Sequence, residues 1–214
     1  MIIKLANAGK RFNRDWIFRS LNFEFFPGES YAITGPNGSG KSTLLQVLSG
    51  SMEVSEGKVQ WLENSKALDD EKVHQYISIV APYLELIEEF TATEFLEFHV
   101  KFKKLIPGIT IAKILQLIGL ENAANKQIRY YSSGMKQRIK LAQAFFSDVP
   151  ILLLDEPCTN LDTAGIALYH QLVKEFAGGK TIVVSSNDEV EYSFCKRIIP
   201  IMAYKSGGAV NGLV

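Results

Sequence analysis

Two hydrophobic periods divide the chain. Leu21-Asn22-Phe23-Glu24-Phe25 alternates apolar and polar residues with a period of two, the pattern of a half-buried strand. Shorter apolar runs predict further strands at Ile2–Leu5, expected at a sheet edge, and at Tyr31-Ala32-Ile33 after a Pro27-Gly28 turn. Gly57–Trp61, Tyr76–Val80, Thr181–Val184 and Arg197–Met202 read the same way, with Glu63–Asp70 as a surface loop. Ile151-Leu152-Leu153-Leu154 is apolar throughout, so it is expected to be buried on both faces of a parallel sheet. Helical spacing appears in Ser42–Ser49, which Gly50 can end, and in a stretch capped by Thr93 that carries Phe95, Leu96 and Phe98. It returns in Ile109–Ile118, stopping at Gly119, and after Ser132-Ser133, where Met135, Ile139, Leu141, Ala142 and Phe145 share a face. Thr163–Ala177 and Val190–Cys195 complete the helices. The pattern predicts one α/β domain over residues 1–214. Residues 1–82 and 148–214 form its core, with strands first, and residues 83–147 form an inserted helical subdomain.

Composition narrows this picture. The chain has 214 residues, enough for a sizeable core, and its 47% hydrophobic and 21% charged residues are ordinary for a globular protein. Its formal net charge is zero, so no global field draws it to nucleic acid or to an anionic membrane. No apolar run approaches the roughly 18–20 residues of a spanning helix, and the N-terminus lacks a signal-peptide layout. A cytoplasmic protein is expected, touching a membrane only through a partner. Cys158 and Cys195 make no metal-ligand spacing and read as reduced thiols, while His74, His99 and His170 are scattered and read as structural or solvated. From Val73 to Val100 there is no Lys or Arg, whereas Glu85, Glu88, Glu89, Glu94 and Glu97 accumulate among aromatic residues.

The chemistry begins at Gly35-Pro36-Asn37-Gly38-Ser39-Gly40-Lys41-Ser42, followed by Thr43. These residues match G-x-x-x-x-G-K-[ST] between a strand and a helix. Glycines there let backbone N–H groups converge on phosphate oxygens, and the helix that follows aims its positive end at the same point. Lys41 would reach the β- and γ-phosphates, and the Ser42 hydroxyl would ligate Mg²⁺. Asp155 ends the apolar strand, delivering a carboxylate to the sheet's carboxyl edge, where it can hold the same Mg²⁺. Glu156 follows directly and is placed to accept a proton from a water attacking the γ-phosphate. ATP and Mg²⁺ are therefore the expected ligands.

This order of motifs, with Tyr131-Ser132-Ser133-Gly134-Met135-Lys136-Gln137-Arg138 between the other two, resembles the nucleotide-binding subunit of ABC transporters over essentially the whole chain. The resemblance implies a P-loop NTPase (RecA-like) core with an N-terminal antiparallel β subdomain and an inserted α-helical subdomain. It identifies Ser132-Ser133-Gly134-Met135 as a variant of the signature motif, acting in trans on ATP held by a second ATP-binding subunit. Asp162 matches the loop that lines the dimer seam. Phe12 stands where the family places an adenine-stacking aromatic, with Trp16 as the alternative. A transmembrane permease would be the further partner, with no nucleic acid bound, and Tyr83, Leu84, Leu86, Glu85 and Glu88 are its candidate contacts.

Two positions depart from the family. Pro82 replaces a glutamine at the end of the strand before the helical insertion, and Asn187 replaces a histidine that orients the attacking water. Asparagine donates one hydrogen bond but carries no charge and shuttles no proton. A competent but slow ATPase is expected, acting in export by analogy with small exporter subunits. The alternatives are a hydrolysis-deficient regulatory switch, an ABC ATPase acting outside transport, and a small-molecule kinase. The kinase explains neither the signature stretch nor the acidic pair Asp155-Glu156.

Overall fold

A computed structural model describes residues 1–205. In chain order the strands are β1 (Ile2–Phe12), β2 (Asp15–Phe25), β3 (Ser30–Thr34), β4 (Glu56–Glu63), β5 (Lys66–Ala67), β6 (Ile77–Val80), β7 (Ile151–Asp155), β8 (Thr181–Ser185) and β9 (Arg197–Pro200). The helices are α1 (Lys41–Leu48), α2 (Ala92–Val100), α3 (Ile111–Leu117), α4 (Ser133–Phe145), α5 (Thr163–Phe176) and α6 (Glu189–Tyr192). Two sheets result: an antiparallel one ordered β2-β1-β4-β5, and a five-stranded one ordered β6-β7-β8-β3-β9 whose pairings are all parallel. This is the α/β fold the sequence predicts.

The apolar strands behave as their composition requires. All five residues of β7 are buried, and they divide between two cores. Leu152 and Leu154 pack on one side with Ile139, Phe145 and Tyr169, while Ile151 and Leu153 pack on the other with Leu44, Leu48 and Phe25. Between Pro82 and Asp148 the regular elements are helices and 3-10 turns, joined by loops, with two isolated bridges, Thr91–Gln127 and Leu105–Ser147.

Several boundaries differ from expectation, each for a local reason. Ile2–Leu5 is not an edge: β1 lies between β2 and β4, with Ile3 opposite both Phe25 and Trp61. Gly57 (φ 74°) enables that close pairing, since a Cβ there would sit 2.1 Å from the Asn7 carbonyl oxygen. The loop at 63–70 contains β5, joined to β4 through Asn64 and Ser65, both at positive φ as in a tight hairpin. Helix α2 is capped by Thr91 rather than Thr93: Thr91 Oγ1 accepts from the Glu94 N–H, and Glu94 accepts from the Thr91 N–H at 2.8 Å. Helix α6 starts at Glu189, capped by Asp188, and is shorter than Val190–Cys195. Strand β9 ends at Pro200, and Ile201–Tyr204 forms a 3-10 turn instead of continuing the strand to Met202.

Candidate functional site

Because the large sheet is parallel, the carboxyl ends of β3, β6, β7 and β8 share one edge. The loop after β3 wraps the Lys41 ammonium, which donates to the carbonyls of Gly35 (2.9 Å) and Pro36 (3.4 Å). Pro36, Asn37 and Gly38 are exposed, Ser39 and Lys41 are buried, and Ser42 and Thr43 are half-buried in the first turn of α1. Gly40 caps α1 at φ 104°, where a Cβ would sit 2.1 Å from the Ile17 side chain, so β2 holds the loop from outside. A wrapped ammonium and a free helix N-terminus together make an anion site.

Two strand ends face it. The Asp155 carboxylate is 2% exposed, and its Oδ1 has no hydrogen-bond partner, nor has the buried Ser39 hydroxyl. A buried carboxylate oxygen without a partner is costly in isolation and suits a hard cation. With the Ser42 hydroxyl it offers the oxygen donors that Mg²⁺ takes, so these residues fit that ion. Glu156 sits at φ 44°, rare for a residue with a Cβ, and its N–H donates to the Ser185 carbonyl at 2.9 Å. Past β8, the exposed Asn187 donates from Nδ2 to Asn37 Oδ1 at 2.9 Å, joining that strand end to the phosphate loop.

Ser132–Met135 lie elsewhere. They line a hollow with Gly119, Asn122, Arg138, Asn160 and Asp162, and no residue of Gly35–Thr43 lines it. Ser132 caps α4 by accepting the Met135 N–H at 3.2 Å, which leaves its hydroxyl hydrogen free to donate outward. Gly134 packs so closely on the loop after β7 that a Cβ would come within 3.1 Å of the Asn160 carbonyl. Buried Gln137 ties the same helix to that loop through the Pro157 carbonyl (2.7 Å). Asp162 Oδ1 caps α5 by accepting the Gly165 N–H at 2.7 Å and also takes a 3.4 Å contact from Arg138.

The two adenine candidates differ in surroundings. The Trp16 ring carries the guanidinium groups of Arg11 (5.5 Å) and Arg19 (4.5 Å). Phe12, at the end of the β1–β2 hairpin, is 46% exposed with only the Lys10 ammonium over it, at 5.4 Å. His99 is structural, its Nε2 2.7 Å from the Ser147 hydroxyl. Burial pushes the Cys158 and Cys195 thiols up to about 12, so both stay protonated.

Two positioning groups escape sequence reasoning. Buried Glu191 accepts the Cys158 N–H at 2.6 Å and so anchors the loop beyond Glu156, and burial pushes its carboxyl pKa up. Lys140 donates to the carbonyls of Ala81 (3.4 Å) and Pro82 (3.3 Å), fixing the turn after β6. Tyr83, expected at a partner surface, does not line the hollow formed by Pro82, Leu84, Glu85, Leu86, Glu88, Lys136 and Lys140. Its phenol is acted on instead by the Gln46 side chain of α1, and burial raises its pKa.

Comparison with known proteins agrees with this geometry. The ABC transporter family model matches residues 18–159. A cytochrome c biogenesis ATP-binding export protein CcmA from Yersinia pseudotuberculosis is 31% identical over 174 residues, covering 80% of each chain. A Nod factor export ATP-binding protein I from Rhizobium johnstonii is 31% identical over 207 residues, covering 94% of this chain and 66% of that one. The dimeric structure of MJ0796, a bacterial ABC transporter cassette, superposes with a TM-score of 0.79 at 29% identity over 93% of this chain and 94% of its own. A wrapped lysine, a partnerless strand-end aspartate and a family match spanning both make this chain an ATP-binding ATPase subunit of the ABC transporter family.

Proposed function

We propose that two copies of the chain, or this chain and a similar one, enclose ATP at their seam and drive a separate membrane permease in export. The observation that carries this reading is the separation within one chain of the Ser132–Met135 hollow from the Gly35–Thr43 loop. Each half-site lacks what the other offers, and an isologous dimer supplies it. Export follows the relatives named for it, CcmA and the Nod factor export protein. Among the described residues no helix is long and apolar enough to cross a membrane.

In this reading Phe12 carries the adenine, because both neighbouring guanidiniums already engage Trp16. Gly35–Gly40, Lys41 and Thr43 hold the phosphates, and the partner's Ser132 hydroxyl and helix terminus close over the terminal one. Ser42 and Asp155 hold Mg²⁺, which when bound offsets charge on the phosphate oxygens. Glu156 takes the proton of the attacking water as its oxygen bonds to phosphorus and the bond to ADP breaks. Asn187 orients that water by one donated hydrogen bond. Residues 83–147 act as the subdomain that meets the permease through the hollow holding Glu85 and Glu88, the latter paired with Lys136.

ATP turnover of the purified chain tests the assignment. Glu156→Gln is expected to lower kcat by about 10²-fold or more while leaving ATP binding intact. Equal turnover would remove Glu156 from the mechanism. Copurification with a membrane protein tests the partner, and charge reversal at Glu85 and Glu88 is expected to abolish that association without loss of ATP binding. The regulatory-switch reading predicts tight ATP binding with no turnover in the wild type.

A further inference from the structure

Strand β6 places Val80 beside Leu154, so the residues after it rise over the sheet edge next to Asp155 and Glu156. Ala81 is buried and apolar, and Pro82 has neither an N–H nor a polar side chain. The first polar side chain leaving this edge is Tyr83. Its backbone is held: the Leu84 N–H closes a turn onto the Ala81 carbonyl at 3.2 Å, and Lys140 grips the carbonyls of Ala81 and Pro82. Its neighbours Pro82, Leu84, Glu85 and Leu86 face the hollow toward α4, whereas Tyr83 is absent from that lining and stays 45% exposed. The groups that act on its phenol are the Gln46 side chain, one helical turn beyond Ser42 on α1, and the Asp155 carboxylate.

We infer that Tyr83 is a ligand-facing residue of the nucleotide site, its phenol donating a hydrogen bond to the terminal-phosphate end of a bound nucleoside triphosphate. Two groups set that end: Gln46, on the same helix as Ser42, and Asp155 with its partnerless Oδ1. The adenine candidate Phe12 lies instead at the tip of the β1–β2 hairpin. Burial raises the phenol pKa further above its ordinary value, so the group remains a donor at neutral pH. Tyr83 thereby supplies the polar group that Pro82 omits, and it discriminates triphosphate from diphosphate. The inference rests on the proposed nucleotide site and adds one residue to it.

The test is titration calorimetry with MgATP and MgADP in a Glu156→Gln background, which keeps ATP intact. Adding Tyr83→Phe removes only the hydroxyl and is expected to weaken ATP binding about tenfold while ADP affinity stays within about twofold, the loss of one hydrogen bond to a charged group. Tyr83→Gln, which restores a donor, is expected to recover most of the ATP affinity. Unchanged ATP affinity in Tyr83→Phe, or an equal loss for both nucleotides, overturns the inference. Should the Glu156→Gln parent bind neither nucleotide, the nucleotide site itself is wrong, and Tyr83 falls with it.

Discussion

Glu156 occupies backbone space that a residue with a Cβ rarely visits, at φ 44°, pinned by its N–H to the Ser185 carbonyl. Strain of this kind persists where the surroundings over-determine it. In the proposed mechanism Asn187 is the second residue on which rate depends. Its amide spans to Asn37 at 2.9 Å, so a neutral contact joins the β8 end to the phosphate loop. Replacement by histidine supplies a charged or proton-carrying donor at the same reach. Asn187→His is therefore expected to raise kcat several-fold with little change in KM, read by steady-state phosphate release. No gain in kcat would mean that the amide already provides all the orientation the water needs.

The helical stretch hangs on a different class of contact. His99 in α2 is buried against the Ser147 hydroxyl, and burial, then the nearby Lys103 charge, lower its pKa to about 4 from 6.5. The folded state therefore keeps His99 neutral while the unfolded chain protonates it below about 6.5. Its contribution to stability is complete above that pH and is lost as pH falls toward 4, by at most about 3 kcal/mol. Melting from pH 7 to 4 is expected to show a steeper decline for the wild type than for His99→Gln, and parallel curves would contradict it. That contact was not legible in the sequence, where His99 is one of three scattered histidines. Pairing it with residue 147 requires knowing that α2 and the end of α4 meet. The parallel strands were legible because an all-apolar run such as Ile151–Leu154 has a single comfortable environment, between two cores. The first hairpin was only partly so. Register shifts between Leu5 and Ala8 and again near Lys10 break the alternation, so Ala8 and Gly9 are buried in succession and the period-two signal fails. The phosphate loop, Asp155 and the signature were readable as motifs. Gln46, Lys140 and Glu191 were not, because each acts through a fold contact with no spacing rule.

At the scale of the whole molecule, the proposed reading gives the chain two unlike halves of one site on separate surfaces, and Gln137, Gly134 and the Arg138–Asp162 pair join the signature helix to the loop that follows Glu156. In the proposed dimer, a partner's phosphate seated on Ser132 would bear on the loop that follows this chain's own Glu156, which would link closure at one site to readiness at the other. Complementation tests the arrangement in trans. Ser132→Asp keeps the helix cap, since aspartate accepts the Met135 N–H as serine does, but sets a negative charge against the incoming phosphate. Lys41→Ala disables the phosphate loop and leaves the signature intact. Each variant alone is expected to be inactive. Mixed in equal amounts, they form heterodimers with one sound composite site, and random pairing gives up to about a quarter of wild-type turnover. A site complete within one chain would give no recovery on mixing, because neither variant then holds an intact set. Size-exclusion chromatography with light scattering supplies the second readout. The Glu156→Gln chain of 23.9 kDa is expected to double in mass with MgATP, and Glu156→Gln/Ser132→Asp is expected to bind ATP yet remain single.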